Sequence, residues 1–372
     1  ANVSLNSGKS VHDVSTFREH LYEEKQISPK VNNSQLQYSV IHQLNENDWQ
    51  EFLMASSSPS VFQTPEMFKV FEDSKNFSPL LTALIDQQGK ILAVLVSVYV
   101  TNFNFLVRGF TKRSVVWGGP VVKDNDPILV EAILSEYLKK VKNYAIFSEF
   151  RNDLQQKQFR PQYEKLGFDF EDHLNIFIDL TKSQELLWRA LSKSLKNRIN
   201  KVRRLGLVVE IIENEQHYQE SYKILKQVYQ RAKLPIPGWS LFQAAIRHLV
   251  PKGLIKFFGA FHEGKLVGVR IVICYNNQLY DWYAGSYQEY YKIFPNDLLP
   301  WEVFMWGKEN GYILFDFGGA GNPHKDYGVR DYKSKFSKEM ENPGRFTIVH
   351  KPTLMTIGKY GFDLYQKIIP FR

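Results

Sequence analysis

Residues 81–94 read Leu81-Thr-Ala-Leu-Ile-Asp-Gln-Gln-Gly-Lys-Ile-Leu-Ala-Val94, and this pattern returns in outline as Phe258-Gly-Ala-Phe-His-Glu-Gly-Lys-Leu-Val-Gly-Val269. Each stretch is an apolar run, a Gly-Lys turn and a second apolar run, which is typical of a β-hairpin. The two turns lie 175 residues apart, and a second pair of similar stretches, Tyr144-Ala-Ile-Phe147 and Tyr312-Ile-Leu-Phe315, lies 168 residues apart. This repetition indicates a duplicated domain, and the cleft between two such halves is a usual place for a substrate.

The composition fits a two-domain globular protein with an anionic partner. The chain has 372 residues, of which 44% are hydrophobic, so it can fill two cores. Lysine and arginine exceed aspartate and glutamate by 47 to 39, which favours phosphates, nucleotides, nucleic acid or an anionic membrane surface as partners. The single cysteine, Cys274, excludes an intrachain disulfide and suits a reducing compartment. No segment reaches the roughly 18 apolar residues of a membrane span, and we expect a cytoplasmic protein.

The sequence divides into four parts. Residues 1–37 are polar and weakly patterned, and we expect a partly disordered lead-in. Residues 38–180 and 181–344 each mix strands and helices and are predicted to form the two related domains, the first closed by a strand at 173–180. Residues 345–372 form a tail that we expect to pack on the first domain.

A basic helix opens the second half. Its apolar stripe consists of Leu187, Leu191, Leu195, Ile199 and Val202. Seven basic residues surround this stripe with no acidic residue between them: Arg189, Lys193, Lys196, Arg198, Lys201, Arg203 and Arg204. Such a helix face either contacts phosphate or RNA, or is simply solvated. The histidines show no spacing typical of metal ligands, so no metal site is expected.

Two adjoining segments near residue 320 are candidates for chemistry. Asp316-Phe-Gly-Gly-Ala-Gly321 follows a strand. Its glycines either expose backbone N–H groups to an anion or only form a tight turn from the strand into a loop. Tyr327-Gly-Val-Arg-Asp-Tyr-Lys-Ser-Lys-Phe336 carries Arg330, Lys333 and Lys335. A lysine beside a reacting carbonyl can stabilise developing negative charge, whereas the alternative is a solvated charged turn. Aromatic side chains such as Tyr283 either line a pocket or belong to the core.

The sequence resembles the FemABX-type aminoacyltransferases over most of residues 38–345. The resembling segments are Gly264-Lys-Leu-Val-Gly268, residues 280–286, Asn296-Asp-Leu-Leu299, residues 311–319, and Tyr332-Lys333 followed by Phe336. The basic helix matches the segment that opens the second domain of that family. Tyr163-Glu-Lys-Leu-Gly-Phe168 is similar to an ending common in GNAT acetyltransferase folds. Each motif is short, so the specificity of the resemblance comes from their order.

This resemblance implies an α+β protein of two tandem GNAT-like domains with a cleft between them. It also implies that an amine attacks an activated acyl ester, with aminoacyl-tRNA as the donor and a peptidoglycan precursor as the acceptor in the best-known members. The Phe-Lys pair of the family corresponds to Tyr332-Lys333 here, so Lys333 inherits the role of stabilising the oxyanion. The aromatic residue that precedes Arg-Gly-Pro in the family corresponds to Trp117.

The chain departs from the family pattern at several places. Gly118 replaces the arginine of Arg-Gly-Pro, and Phe71 replaces a phosphate-binding lysine, with Lys69 two residues away. The Arg-x-x-x-Tyr motif that grips the nucleotide-linked precursor is not visible around residues 238–242. We therefore expect that the acceptor can differ from the usual muropeptide.

We predict an acyltransferase that forms an amide bond, with Lys333 stabilising the oxyanion and Asp316 handling the proton. Arg198 and Arg330 are assigned to substrate phosphates, and Trp117 and Tyr283 to the flanks of the acceptor. The predicted donor is aminoacyl-tRNA, no bound cofactor is expected, and the acceptor is a cell-envelope precursor. One alternative is an acyl-CoA-dependent N-acyltransferase acting on a sugar or polysaccharide precursor. The other is a non-catalytic module that binds RNA or a sugar nucleotide.

Overall fold

The computed structural model describes residues 37–57, 59–101 and 112–356. Its strands are β1 Ser39–Ile41, β2 Phe77–Ile85, β3 Ile91–Val100, β4 Arg113–Gly118, β5 Val121–Val122, β6 Phe147–Asn152, β7 Asp169–Glu171, β8 Leu174–Asp179, β9 Val208–Ile211, β10 Ile255–His262, β11 Lys265–Tyr275, β12 Gln278–Ser286, β13 Leu314–Gly321, β14 Met340–Glu341 and β15 Arg345–Val349. Its α-helices are α1 Glu46–Met54, α2 Pro65–Glu72, α3 Pro127–Val141, α4 Arg160–Lys165, α5 Gln184–Ala190, α6 Lys193–Arg204, α7 Glu215–Arg231, α8 Trp239–Leu249, α9 Pro295–Glu309 and α10 Gly328–Lys333.

Two sheets repeat one strand order. The first sheet runs β1-β2-β3-β4-β6-β15-β7, with β5 added to β3, and the second runs β9-β10-β11-β12-β13-β8-β14. Both Gly-Lys turns close antiparallel hairpins, β2–β3 and β10–β11, where the sequence placed them. A helix precedes the parallel partner strand in each half, namely α3 before β6 and α9 before β13. The predicted α+β fold of two related halves is confirmed.

The two halves exchange one strand each. β15 follows the second half along the chain but lies in the first sheet, between β6 and β7. β8 follows the first half but lies in the second sheet, between β13 and β14. β15 thus completes the first sheet and β8 completes the second, so neither half forms its full sheet from its own strands alone.

This exchange corrects one detail of the sequence prediction. The strand predicted to close the first domain, at residues 173–180, pairs instead with β13 and buries Ile176 and Ile178 in the core of the second sheet. β15, at the start of the predicted tail, pairs with β6 of the first half, and the packing of the tail as a whole stays a prediction. The lead-in at 1–36 and residues 357–372 of the tail lie outside the described residues, and the domain limits themselves stay a prediction.

An apolar cluster joins the halves. It combines side chains of α1, α2 and β2–β4 with side chains of α7, α8 and β10–β11. A hydrogen bond and an ion pair reinforce the contact between the regions of α2 and α8: Asp73 accepts from His248 at 2.7 Å, and Lys252 Nζ lies 2.6 Å from Glu66 Oε1. The halves therefore share buried apolar surface.

The basic segment that opens the second half forms two helices. α5 ends at Ala190, and Ser192 caps α6 by accepting from the backbone N–H of Leu195. The five residues of the predicted apolar stripe are all buried. Two of the basic residues obtain acidic partners from α9: Arg198 pairs with Asp297, and Arg203 Nη2 lies 2.7 Å from Glu302 Oε1. The tertiary structure thus supplies acids that the helix itself lacks.

Candidate active site

A wedge opens in the second sheet between β12 and β13. These parallel strands pair only from Gln278↔Leu314 to Tyr280↔Asp316, and then diverge. The equivalent strands of the first sheet, β4 and β6, stay paired over six residues, as far as Gly118↔Asn152. Divergent parallel strands leave backbone groups available to a ligand rather than to each other. The second half therefore holds an opening at this position that the paired strands of the first half close.

Lys333 lies at the mouth of this wedge. It is the last residue of α10, and its Nζ donates to the carbonyl oxygens of Phe317 and, at 2.9 Å, Gly319. Both carbonyls belong to β13 just beyond the point where the strands separate. A lysine ammonium has three donor hydrogens, and within the described residues these two bonds use two of them. The third is left for a group that enters the wedge.

Burial changes the pKa of Lys333 and strengthens the interactions of its charge. Desolvation lowers the pKa of its ammonium, while the carboxylates of Asp281 and Asp316 oppose that shift. The ring of Phe317 lies 5.3 Å from Nζ and excludes water on one side. A partly desolvated cation interacts more strongly with a nearby anion than a hydrated one does. Lys333 is therefore suited to stabilising negative charge that develops in the wedge.

Asp316 lies on β13 close to the lysine. Its Oδ1 accepts the backbone N–H of Gly318 at 2.7 Å and the side chain of Asn175 at 3.3 Å. Burial raises the pKa of the carboxyl to about 6, against the opposing effects of the Gly318 hydrogen bond and the Lys333 charge. A carboxyl group that titrates close to neutral pH can take up a proton and return it during one reaction cycle. The structure thus brings both predicted catalytic residues to one place.

A buried ion pair that the sequence analysis missed supports the wedge. Arg270 and Asp281, on β11 and β12, are 2% and 9% exposed, and they form a hydrogen bond of 2.5 Å. The Arg270 guanidinium lies 5.1 Å from the Phe317 ring. Within the described chain, Arg270 Nε and Asp281 Oδ1 have no hydrogen-bond partner. A charge inside each of two otherwise apolar strands was the signal that could have identified this pair.

The two predicted aromatic residues come from different halves, Trp117 from β4 and Tyr283 from β12, and both pack against the apolar cluster that joins the halves. Trp117 stacks on Phe71 at 5.3 Å, and its ring lies 5.6 Å from the guanidinium of Arg151. Tyr283 packs on Phe242 at 5.0 Å, and burial raises the pKa of its hydroxyl. Both side chains are half-buried. Their assignment to the flanks of the acceptor stays a prediction.

The remaining predicted substrate-binding residues have partners within the protein. Arg330 donates to the carbonyls of Ala320 (3.2 Å) and Asn322 (2.8 Å), so it holds the loop after β13. The Tyr332 hydroxyl donates to the carbonyl of Asn296 and anchors the residue next to Lys333. Arg198 pairs with Asp297, as described above. Lys69 lies 2.6 Å from Glu46 on the surface. Their predicted contacts with substrate remain predictions.

Comparison with known proteins agrees with this geometry. Residues 189–333, which contain the wedge and end at Lys333, match the sequence model of the acetyltransferase (GNAT) domain family. The crystal structure of FemX superposes with a TM-score of 0.66 at 12% identity, covering 86% of this chain and 99% of FemX. The chain has the fold of FemX.

Two further relatives extend the comparison. A curated protein of Weissella viridescens, UDP-N-acetylmuramoylpentapeptide-lysine N(6)-alanyltransferase, is 24% identical over 80% of this chain and 92% of its own length. The structure of L-PGS from Bacillus licheniformis superposes with a TM-score of 0.54 at 15% identity, covering 85% of this chain and 96% of that one. The predicted resemblance of this FemX-like chain to the FemABX-type aminoacyltransferases is confirmed, as is its assignment to the acyltransferases. In the part of the chain that the structure describes, no helix is long and apolar enough to cross a bilayer.

Proposed function

We propose that the protein transfers an amino acid from aminoacyl-tRNA to an amine of a peptidoglycan or other cell-envelope precursor. The observation that carries the proposal is the placement of the Lys333 ammonium at the open end of the β12–β13 wedge, with the Asp316 carboxyl on the adjoining strand. An ammonium donor and a carboxyl with a pKa of about 6 meet the two demands of amide formation from an ester.

The reaction proceeds through a tetrahedral intermediate. The acceptor amine forms a bond to the ester carbonyl carbon, and the carbonyl oxygen becomes an oxyanion that accepts a hydrogen bond from Lys333 Nζ. Asp316 takes the proton that the amine loses on forming this bond. The C–O bond of the ester then breaks, and the leaving hydroxyl oxygen takes the proton from Asp316. The carboxylate is thereby restored, and all atoms and charges balance.

The choice of donor follows from the relatives and from the charge. The Weissella relative is named as an alanyltransferase acting on a lysine of a nucleotide-linked precursor. This name supports the transfer of an amino acid to an amine by the present protein. The chain carries a net charge of +8, which suits a polyanionic donor such as tRNA. Because charged tRNA is used in the cytoplasm, we expect the reaction there. The match to an acetyltransferase family supports acyl-CoA as the alternative donor.

A donor competition tests the proposal. The full chain is incubated with a lysine-containing peptidoglycan precursor and either a pool of aminoacylated tRNAs or acetyl-CoA, and the acceptor is analysed by mass spectrometry. We expect the mass of one amino-acid residue to be added only with the tRNA pool, and the addition to disappear after ribonuclease treatment. Addition of an acetyl group would establish the alternative. Tight RNA binding without transfer from either donor would establish the non-catalytic module.

The pH dependence of the transfer provides a second prediction. Asp316 acts as a base only when ionised, and burial raises its pKa to about 6. We therefore expect kcat to fall tenfold for each pH unit below that value and to level off above it, and to fall again at alkaline pH once Lys333, whose pKa burial lowers, loses its proton. Asp316→Asn should remove the acidic limb of the profile and lower kcat about 10²-fold or more. An unchanged acidic limb in the Asn variant would contradict the assignment.

A further inference from the structure

A cluster of charges lies on one face of the first sheet. β4, β6 and β15 are neighbours, with Trp117 opposite Arg151 and Arg151 opposite Arg345. Because side chains alternate between the faces of a strand, Arg113 and Glu149 lie on this same face. Arg345 reaches it only through the exchanged strand. Residues that are far apart in the sequence thus form one site.

Positive charge exceeds negative charge in this cluster. Glu149 is buried, and it accepts from Arg151 Nε at 3.0 Å and from Arg345 Nη1 at 2.8 Å. Burial acts to raise the pKa of Glu149, but Arg151, Arg345 and Arg113 together lower it. Glu171, on the neighbouring strand β7, is exposed, but it lies opposite Arg345 on the same face, and its charge also acts on Arg345. Two carboxylates, one buried and one exposed, therefore face three guanidinium groups.

The excess charge is partly withdrawn from water. Burial lowers the pKa of both Arg113 and Arg345, and Arg113 Nε is buried without a hydrogen-bond partner among residues 37–57, 59–101 and 112–356. Buried cationic groups are costly unless an anion compensates them. The side chains of Arg151 and Arg345 nevertheless remain 35% and 30% exposed, so a ligand can reach them from solvent.

A single imidazole ring connects this cluster with the proposed catalytic lysine. Arg345 Nη2 donates to His173 Nε2 at 3.1 Å. The same ring nitrogen would lie only 2.7 Å from a side-chain carbon placed on Gly319, so the imidazole packs against that glycine. The carbonyl of Gly319 in turn accepts from Lys333, as described above. Burial lowers the pKa of His173 to about 4, which keeps the ring neutral near pH 7.

We propose that Arg151 and Arg345 form an anion-binding subsite for a carboxylate or phosphate group of the acceptor. The bonds described do not use Arg151 Nη1 or Arg345 Nε, so both can donate to a ligand, and the Trp117 ring lies 5.6 Å from the Arg151 guanidinium. Arginine pairs bind both kinds of oxyanion through charge-assisted hydrogen bonds. Since the wedge in the second sheet takes the acyl ester, a group held by the first sheet belongs to the other substrate. The assignment to the acceptor rests on the proposed function.

Binding of simple anions tests the subsite without any turnover. Inorganic pyrophosphate and glutarate are titrated into the full chain by calorimetry, and the anion that binds identifies the group as a phosphate or a carboxylate. We expect Arg151→Gln and Arg345→Gln each to weaken that binding about tenfold or more. Arg160→Gln is the control, because Arg160 is exposed and pairs with Glu164 within α4. Absence of binding by both anions, or equal binding by all variants, would overturn the proposal.

Transfer kinetics separate a binding role from a structural one. With the acceptor that supports transfer in the donor competition, we expect either Gln variant to raise the acceptor KM about tenfold while kcat stays within about threefold. Arg345→Lys keeps the charge but loses the planar guanidinium, which can form two parallel hydrogen bonds to an oxyanion. This variant should give an intermediate KM even if Arg345→Gln folds poorly. A loss confined to kcat would contradict the subsite. If no donor supports transfer at all, the proposed function fails while the anion titration still decides the subsite.

Discussion

Replacing Lys333 with alanine should lower kcat for amide formation about 10²- to 10³-fold, the usual cost of removing one donor to a reaction oxyanion. The reason is geometric, because its ammonium is bound to the carbonyls of Phe317 and Gly319 and, among the described residues, retains one donor hydrogen for the oxyanion. The acceptor KM should change little, since the bond to the oxyanion exists only in the transition state. The measurement is steady-state transfer with the donor identified by the competition assay.

Two controls accompany this variant. Lys333→Met preserves most of the side-chain volume without the charge, so it separates the lost cation from a packing defect. Lys338→Ala removes an exposed lysine five residues further along the chain and should leave kcat unchanged. Near-normal turnover by both Lys333 variants would remove Lys333 from the mechanism. A large rise in KM at constant kcat would instead assign the lysine to substrate binding.

Replacing Phe346 with alanine should destabilise the protein by about 3–5 kcal/mol, the usual cost of emptying a buried phenylalanine site. Phe346 lies on the exchanged strand β15 and is fully buried, with its ring stacked on Tyr163 at 4.0 Å. It also pairs with Phe150 of β6, across the sheet. The core of the first half therefore depends on a residue that follows the second half. Denaturant unfolding measures the loss.

The position of the damage distinguishes strand exchange from a general loss of stability. Amide hydrogen exchange in Phe346→Ala should accelerate first in β6 and β7, which flank β15, rather than in β13 and β14. Val349→Ala, on the same strand but 44% exposed, is the matched control and should cost less than about 1 kcal/mol. A loss below that level for Phe346→Ala, or exchange that accelerates first in the second sheet, would contradict this account of the fold.

Features set by neighbouring residues could be predicted from the sequence. The two Gly-Lys hairpins, the helix before β6 and the repeated order of elements follow from short-range periodicity and turn residues. Asp316 and Lys333 were also found in this way, because each belongs to a short motif. The basic helix was recognised, but its break at Ser192 and the acidic partners of Arg198 and Arg203 were not. Those partners lie on α9, about a hundred residues away.

The sequence by itself indicated that the chain is duplicated and where its hairpins turn, and it provided the prediction that Lys333 takes part in the chemistry. Only the tertiary structure decided that β8 and β15 change places, and that β12 and β13 diverge beside Lys333 while β4 and β6 do not. Only folding brings Arg345 beside Arg151, or buries Arg270 against Asp281. The physical reason is that strand pairing and the solvation of charges depend on residues remote in the sequence, whereas hairpins and helices obey patterns that a few neighbouring residues complete.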